Sequence, residues 1–403
     1  MGLVGPGFVG SHHIDAVRRL GFVDVVAVAA STDASAQEKA RRLGVPKAYG
    51  NYEALVADPD VHVVHVTTPN ALHGAVIDAA IAHRKHVVCD KPLATTAAEA
   101  RRLRDAATAA GVVHAVTFNY RGNPMIQHAR VMVAAGEVGP VHLIHGTYLQ
   151  DWLLEDTDYS WRLDPSQGHS SAMADIGSHW CDLAQHVSGQ RIESVLADLS
   201  TVVSSRVKPE QRVEAFTAGN HAGTRVAITS EDLGIVMLRF SGGATGVITV
   251  GQVCAGHKND LRLELCGRAG SIRWTQEAQN ELWIGARRHG NTVLAKDPSL
   301  ISPEARPYAR LPGGHQEGWS DAFGNVMRDI YAAILDPAAA RAPAFATFDD
   351  GYASACIVDA VLRSHRAGGV WTGVVTPHED VDEHRSVRRD SAREVEVVQA
   401  PRT

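Results

Sequence analysis

The sequence predicts an α/β protein in which a doubly wound parallel sheet comes first and a domain with mostly antiparallel strands follows. Strands alternate with helices through residues 1–119, a glycine-rich turn lies between the first strand and the first helix, and three strand pairs come later. Alternating strands and helices pair the strands in parallel through right-handed crossovers. Hairpin turns such as SGGA and GRAG instead pair neighbouring strands antiparallel.

The elements of the first part follow in regular order. Strands are predicted at residues 1–4, 23–30, 61–69, 86–92 and 112–119, and the second is an apolar run typical of a buried parallel strand. Helices are predicted at 10–20, about 34–43, 51–57 and 71–84, and from a capping box at residues 96–99 to Gly111. The first strand is short for a sheet, which leaves open whether the native chain begins before Met1.

The turn GPGFVG, residues 5–10, has the spacing of a dinucleotide-binding loop. Gly5 permits the tight turn, Gly7 lets the backbone approach a pyrophosphate, and Gly10 permits close packing of the helix. Together with Phe8 and Val9 they place free N–H groups of the helix N-terminus beside the phosphates. The alternative is a glycine turn that holds no ligand.

The sequence distinguishes NAD from NADP less clearly than it indicates the glycine turn. Ala30 stands at the end of the second strand, where such folds usually carry an acidic residue for the ribose. Asp33 could turn back to the ribose, or the hydroxyls of Ser31 and Thr32 could meet a 2′-phosphate, and Asp33 has the alternative of capping the next helix. The sequence leaves NAD and NADP unresolved.

The second part begins with a helix at about 124–135 and a strand at 141–150. An aromatic-rich loop at 151–168 offers Trp161 and Arg162 as sugar-binding candidates, with a loop that packs for its own sake as the alternative. A helix ending at Gly189 carries Asp175 and His179, and the strand pairs fall near 235–253, 260–274 and 281–295.

Other segments of the second part are less regular. Residues 207–228 suggest an insertion or a mobile loop, and His315 precedes a helix from which it could reach a substrate. Further helices are predicted after residue 319 and near 350–366, with a final strand at 369–375. Residues 377–403 are charged and predict a disordered tail.

Composition excludes several classes of protein. A net charge of −6 argues against a nucleic-acid partner, and no apolar run is long enough to span a membrane. No signal peptide is expected at the N-terminus. The five cysteines are scattered without C-x-x-C spacing, so we expect neither disulfides nor a metal site, and a cytoplasmic location.

Four motifs in order give the sequence a family resemblance: GPGFVG (5–10), TTPNALH (67–73), CDKPLA (89–94) and DIGSHWCDL (175–183). Together they resemble the Gfo/Idh/MocA oxidoreductases. The resemblance covers about residues 1–375 and implies a Rossmann dinucleotide-binding domain at 1–119. It implies a second α/β domain with a large open sheet at 120–376, for substrate and for oligomerisation. The activity it implies is hydride transfer between NAD(P) and a carbinol carbon of a sugar or polyol.

The resemblance also assigns roles to residues. Lys91 and Pro92 match the family's E-K-P motif, with Asp90 in place of its glutamate, and Asp175 and His179 match the D-x-x-x-H motif whose histidine transfers a proton. Cofactor contacts are assigned to Thr68, Pro69, Asn70, His73, Asp90 and Lys91. The full set of predicted substrate contacts is Lys91, Tyr120, Arg121, Trp161, Arg162, Asp175, His179 and His315, of which Trp161, Arg162 and His315 come from the residue patterns above and not from the resemblance.

The chemistry of these residue types agrees with that assignment. Oxidation of an alcohol needs a base for the hydroxyl proton, and imidazole has a suitable pKa. Asp175 and His179 are four residues apart and share one helix face, so we expect the carboxylate to orient the imidazole. Lys91 would disfavour imidazolium and polarise the substrate oxygen. The alternatives are a surface pair and a surface lysine.

Three functions are compatible with the sequence. The favoured one is an NAD(P)-dependent sugar or polyol dehydrogenase. An NAD-dependent glycosidase or lyase that oxidises a sugar transiently would use the same residues. A nucleotide-sensing regulator would need none of the three proposed catalytic residues, Lys91, Asp175 and His179. Because an open sheet leaves one face uncovered, we also expect a homodimer or homotetramer.

Overall fold

The first sheet is parallel and doubly wound, as predicted. The computed structural model describes residues 1–168, 170–210, 222–341 and 343–375. In chain order the elements are β1 (Gly2–Val4), α1 (Phe8–Arg18), β2 (Ala27–Ala29), α2 (Asp33–Leu43), β3 (Lys47–Tyr49), α3 (Tyr52–Ala57), β4 (Val63–Val66), α4 (His73–Ala82), β5 (His86–Cys89), α5 (Ala97–Ala110) and β6 (His114–Val116). The strand order is β3-β2-β1-β4-β5-β6, with parallel pairing throughout. The chain reverses direction across the sheet between β1 and β4, and ligands bind at such a point.

Two details of this sheet differ from the prediction. Of the strand expected at 23–30, only Ala27–Ala29 pair as a strand, because the neighbouring strands β1 and β3 are each three residues long. The sequence analysis missed β3, since Lys47–Tyr49 is short, half-buried and has no apolar run.

The second domain continues with α6 (Pro124–Ala134), β7 (Val141–Leu149), α7 (Ser178–Ser188), β8 (Ile192–Ser200), β9 (Ser205–Pro209), β10 (Gly223–Ala227), β11 (Leu233–Phe240), β12 (Thr245–Gly251), β13 (Asp260–Gly267), β14 (Ser271–Thr275), β15 (Glu281–Gly285), β16 (Thr292–Ala295), α8 (Trp319–Leu335), α9 (Pro337–Ala340), α10 (Phe348–Arg366) and β17 (Thr372–Gly373). Nine strands form one sheet in the order β16-β15-β14-β13-β7-β12-β11-β8-β17. Of these neighbours only β7 and β12 run parallel within the described chain. The large, mostly antiparallel sheet is therefore confirmed.

The segment predicted as an insertion at 207–228 is bordered by structure. Strands β9 and β10 pair with each other as a two-stranded ribbon, so the prediction of a loop was wrong at both ends. The middle of that segment and the predicted tail at 377–403 lie outside the described residues. Strand β8 was missed as well, although its alternating buried residues pair with β11.

Helices cover one face of the large sheet and also join it to the first domain. The α7 indole Trp180 Nε1 donates to Arg262 O on β13 at 2.8 Å, which fixes α7 to the sheet. Helix α8 packs against α1, and Val116 N of β6 bonds to Ala346 O just before α10. The C-terminal ends of the parallel strands therefore face the start of α7. No helix of the described chain is long and apolar enough to cross a membrane.

Candidate functional site

The glycine turn has the three properties expected of it. Gly5 has φ of +89°, and a Cβ atom there would lie 2.7 Å from Thr67 O. A Cβ on Gly10 would lie 2.9 Å from Gly5 O, so the start of α1 packs directly on the turn. A Cβ on Gly7 would meet no protein atom within 4 Å. The turn therefore leaves open space in front of the free N–H groups of α1.

The segment after β4 lies beside this turn and is tied to the segment after β5. Thr67 Oγ1 donates to Gly5 O at 2.8 Å, while the buried Thr68 Oγ1 has no partner among the described residues. The buried His73 ring lies 3.0 Å from Thr68 O and 2.8 Å from Pro92 O through its two nitrogens. His73 thus connects two loops, and its polar atoms are already engaged.

The residues at the end of β2 are exposed. Thr32 is the N-cap of α2, and its side chain accepts a hydrogen bond from Ser35 N at 3.2 Å. Asp33 is the first helical residue, so the capping role considered for it belongs to Thr32. Asp33 and Ser31 are exposed at this edge of the sheet.

Lys91 reaches from the end of β5 into the second domain. Its Nζ donates to both Asp175 O and Asp175 Oδ1 at 2.7 Å. The preceding Asp90 points elsewhere, with its Oδ1 accepting from Thr117 Oγ1 at 2.8 Å, and the Lys91–Pro92 peptide bond is cis. Replacement of the family's glutamate by Asp90 therefore does not prevent Lys91 from reaching Asp175.

Asp175 lies in a π-helical turn, Met173–Gly177, directly before α7. Its carboxylate receives Lys91 and Arg162 Nε (3.2 Å) on Oδ1, and Gln252 Nε2 (2.9 Å) on Oδ2. Burial alone would raise the pKa of Asp175, but the charges of Lys91 and Arg162 outweigh burial and hold this pKa well below its usual range. The carboxylate is therefore ionised and fully engaged.

His179 stands in the first turn of α7 and is almost entirely buried. Its ring meets the edges of Tyr120 and Phe118, at centroid distances of 5.1 and 5.8 Å, and its Nδ1 is buried without a partner among the described residues. Burial and then the charge of Lys91 lower the pKa of His179 well below 6.5, against the opposing effect of Asp175. The imidazole is therefore neutral at physiological pH and able to accept a proton.

The expected hydrogen bond between Asp175 and His179 is not formed. The carboxylate turns toward Lys91, Arg162 and Gln252, and no atom of His179 is among its partners in the described chain. Two cations and a buried amide attract the carboxylate more strongly than a neutral imidazole does. The expectation that Asp175 orients the imidazole directly was wrong.

Behind His179 lies a set of polar contacts that the sequence did not indicate. Tyr120 OH and Tyr148 OH are 2.7 Å apart, Tyr148 OH donates to Asn259 Oδ1 at 2.7 Å, and Asn259 Nδ2 donates to Tyr120 OH at 3.1 Å. The three residues come from separate elements, so no local spacing could reveal them. They fix the ring of Tyr120 against His179.

Comparisons with known proteins now identify the family. A family model described as oxidoreductase family, NAD-binding Rossmann fold, matches residues 1–118, and the GFO/IDH/MocA C-terminal domain matches residues 126–273. Levoglucosan dehydrogenase of Pseudarthrobacter phenanthrenivorans is 31% identical over 383 residues, which are 90% of this chain and 95% of that protein. The chain belongs to the Gfo/Idh/MocA oxidoreductase family.

Other members resemble it in sequence and in structure. Myo-inositol 2-dehydrogenase of Thermotoga maritima is 27% identical and aligns with 68% of this chain and 74% of its own length. A levoglucosan dehydrogenase solved with NADH and L-sorbose superposes with a TM-score of 0.82 at 29% identity, covering 93% of this chain and 98% of that one. An inositol dehydrogenase homologue from Azotobacter vinelandii, solved with NADH and myo-inositol, has a TM-score of 0.82 at 26% identity and covers 92% of this chain and 96% of that one.

The N-terminal domain of this family member is an NAD-binding Rossmann fold, and the residues present fit NAD(P). Open space at Gly7 faces the start of α1, and Thr68 Oγ1 is a buried hydroxyl that lacks a partner. An unpaired buried polar group costs about 1–3 kcal/mol, so a ligand that bonds to it is favoured. Pro69 and Asn70 form the turn that follows, where Asn70 begins a short 3₁₀ helix.

Of the predicted substrate residues, Arg162 contacts Asp175, and Trp161 lies against Arg162. The Arg162 guanidinium lies 4.6 Å from the centroid of the Trp161 ring, and its buried Nη1 has no partner among the described residues. That nitrogen is a free donor beside Asp175.

Two other predicted substrate residues have different surroundings. Arg121 is buried and forms ion pairs with Asp182 and Asp350, which take up its guanidinium. His315 is exposed, and its nearest polar contact is Gly313 O at 3.3 Å from Nδ1. We therefore leave both out of the proposed substrate site.

One group of side chains in the described chain has the composition of a metal site. His145, Glu264 and Cys266 place possible ligand atoms within 4.8 Å of one another on strands β7 and β13. None of the three contacts Lys91, Asp175 or His179 through a hydrogen bond or ion pair in the described structure.

Proposed function

We propose that this protein is an NAD(P)-dependent dehydrogenase that moves a hydride between the nicotinamide and a carbinol or keto carbon of a sugar or polyol. The observation that carries the proposal is a neutral, buried His179 next to a lysine that is held by Asp175. The named relatives are dehydrogenases of such compounds. The glycosidase and regulator alternatives find no support among them.

The roles of the residues follow from their positions. The backbone of Gly5, Gly7, Phe8, Val9 and Gly10 holds the pyrophosphate at the start of α1. Ser31, Thr32 and Asp33 lie on the ribose side, and Thr68, Pro69 and Asn70 on the nicotinamide side. The bound cofactor supplies the hydride acceptor.

Proton transfer belongs to the residues of the second domain. His179 accepts the hydroxyl proton as the carbon loses its hydride. Lys91, held by Asp175, polarises the substrate oxygen and keeps the imidazole neutral before the reaction. Arg162 and Trp161 bind further hydroxyl groups and the C–H face of the sugar ring, and Tyr120 closes the site behind His179.

The direct test is a panel of cyclic sugars and polyols, starting with levoglucosan and myo-inositol, assayed with NAD and with NADP. The proposal predicts stoichiometric reduction of added cofactor, followed at the absorbance of the reduced nicotinamide. Turnover without net reduction of added cofactor would instead favour the transient-oxidation mechanism. Activity with only one of the two cofactors would resolve the specificity that Asp33 leaves open.

The proposal also includes the oligomeric state and the cellular location of the protein. One face of the large sheet carries half-exposed apolar side chains, including Ile235 and Met237 on β11. These residues alternate with Val236 and Leu238, which are buried in the core. A second copy that covers this face would bury them, so we propose a homodimer or homotetramer in the cytoplasm.

A further inference from the structure

Gln252 is a fully buried side chain that touches the catalytic carboxylate and that no motif indicated. It stands directly after β12, and its Nε2 donates to Asp175 Oδ2 at 2.9 Å. Its Oε1 accepts from Ser171 Oγ at 3.2 Å. The side-chain amide of Gln252 therefore connects Ser171, two residues before the π-helical turn, to the Asp175 carboxylate within that turn.

The backbone of Gln252 is fixed on both sides. Its N–H donates to Asp232 O at 2.9 Å, and its carbonyl accepts from Leu153 N at 3.1 Å. Glu231, which precedes Asp232 in the chain, accepts hydrogen bonds from Ser171 N and Met173 N at 3.0 and 2.9 Å. These bonds therefore fix the backbone of Gln252, while its side-chain amide contacts Ser171 and Asp175 at the turn.

The two oxygens of Asp175 have unlike partners. Both cations, Lys91 and Arg162, lie on Oδ1, whereas Oδ2 has Gln252 as its hydrogen-bond donor in the described chain. The cations hold Oδ1, and the amide on Oδ2 adds a second, uncharged anchor that opposes rotation of the carboxylate about its Cβ–Cγ bond.

We propose that Gln252 is a positioning residue for hydride transfer. It keeps Oδ1 of Asp175 on Lys91, and it keeps the carboxylate turned away from His179, four residues further along. The inference rests on the proposed function, because it assigns a role within the same site. A purely structural role, in which Gln252 only ties β12 to the turn, is the alternative.

Gln252→Glu separates these two roles through pH. The new carboxyl would stand against Asp175 Oδ2, and two carboxylates this close do not both ionise. When protonated, the new group donates a hydrogen bond as the amide does. When ionised, it repels Oδ2 and competes for Lys91 and Arg162, while Glu231 nearby adds to the negative charge.

We therefore expect the ratio of variant to parent kcat to approach one at acidic pH. The ratio should fall by up to about tenfold for each pH unit above the apparent pKa of the carboxylate pair. A ratio that stays constant across the pH range, with kcat measurable in the parent, would overturn the positioning role and leave the proposed function intact.

Gln252→Met provides a second arm that does not require a known substrate. Methionine fills the same space without a hydrogen bond, so the carboxylate is released and can turn toward His179. The pKa of His179, measured by NMR on histidine-labelled protein with His179→Ala for assignment, should rise relative to the parent. An unchanged pKa would overturn the inference even if no member of the panel is oxidised.

Ser171→Ala is the matched control. It removes the partner of Gln252 Oε1 and leaves the contact with Asp175 in place. We expect Ser171→Ala to keep the parent pH profile and the parent pKa of His179. If it shifts them as Gln252→Met does, the effect belongs to the packing of the turn and the inference is wrong. If the parent oxidises no panel compound while Gln252→Met raises the pKa of His179, the proposed function and the role in hydride transfer fail, and only the placement of the Asp175 carboxylate by Gln252 stands.

Discussion

Burial and then the charge of Lys91 lower the pKa of His179, and the lysine acts through space because the two residues share no hydrogen bond in the described chain. Burial and the lysine charge both disfavour imidazolium, so the neutral form persists to a lower pH than for an ordinary histidine. For alcohol oxidation, log kcat/KM should therefore stay level as pH falls through 6.5, the ordinary histidine pKa. An acidic limb at or above that value in the parent would contradict this explanation.

Lys91→Met tests the cause of that shift. Loss of the cation removes one of the two influences that lower the pKa of His179, so the pKa rises and the neutral base is lost at a higher pH. The acidic limb should move upward in the same profile, and turnover should fall at every pH. A slower enzyme with an unmoved limb would show that Lys91 acts only on the substrate.

Gly7 and Gly10 form a matched pair for testing the cofactor turn. Gly7→Val adds a side chain where no protein atom lies within 4 Å, so the melting temperature should barely change while calorimetry detects no cofactor binding. Gly10→Val forces a side chain against Gly5 O and Thr67 Oγ1 and should cost about 1–3 kcal/mol of stability. Normal cofactor affinity in the Gly7 variant would remove the pyrophosphate assignment.

The sequence pointed to the three residues that we propose as catalytic, but it did not reveal their geometry. Lys91, Asp175 and His179 lie in recognisable motifs, and Lys91 meets Asp175 across 84 residues. Which partner the carboxylate prefers depends on Arg162 and Gln252, and these come from a loop and a distant strand end. The spacing of the two residues suggested His179 as the partner of Asp175, whereas the carboxylate of Asp175 is bonded by Lys91 because of its positive charge.

At the scale of elements, we expect Lys296 to hold in place the segment 311–317, which precedes α8. Lys296 Nζ donates to Leu311 O, His315 O and Glu317 Oε2, at 3.0, 2.8 and 2.6 Å, and the ion pair with Glu317 is almost entirely buried. Lys296→Met leaves the Glu317 carboxylate buried without its partner and should lower the free energy of unfolding by about 3–5 kcal/mol.

Urea denaturation measures this loss, and Lys258→Met is its control. Lys258 forms an ion pair with Asp151 but is mostly exposed, so its replacement should cost no more than about 1 kcal/mol. Equal losses in the two variants would mean that the buried pair does not fix the segment.

Elements with strong local patterns were predictable and the others were not. Thr96 caps α5 by accepting from Glu99 N, without the reciprocal bond of a full capping box in the described chain, and the hairpin strands β11 and β12 appear where their sequences place them. Strand β3 is three residues long, and the ribbon of β9 and β10 is mostly half-exposed, so neither has the apolar alternation that marks a strand. The ribbon is held by contacts with the loop 151–168, such as Val207 N to Asp156 O.

For the whole molecule, the uncovered sheet face predicts association. Ile235 and Met237 are 50% and 48% exposed on β11, so light scattering at micromolar concentration should show a dimer or a tetramer. Replacing both residues with lysine should give monomers. Leu335→Lys, at an exposed position at the end of α8, is the control and should leave the assembly intact. A monomeric parent would contradict the proposed assembly.

The most direct test of the central claim is turnover of His179→Ala on the best substrate of the panel, measured alongside cofactor affinity. If His179 accepts the hydroxyl proton, kcat should fall by roughly two to four orders of magnitude, the usual contribution of a positioned proton-transfer group. Cofactor affinity should stay at the parent value, because the proposed pyrophosphate contacts lie at residues 5–10. Turnover within about threefold of the parent would contradict the mechanism, since a general base contributes far more than that.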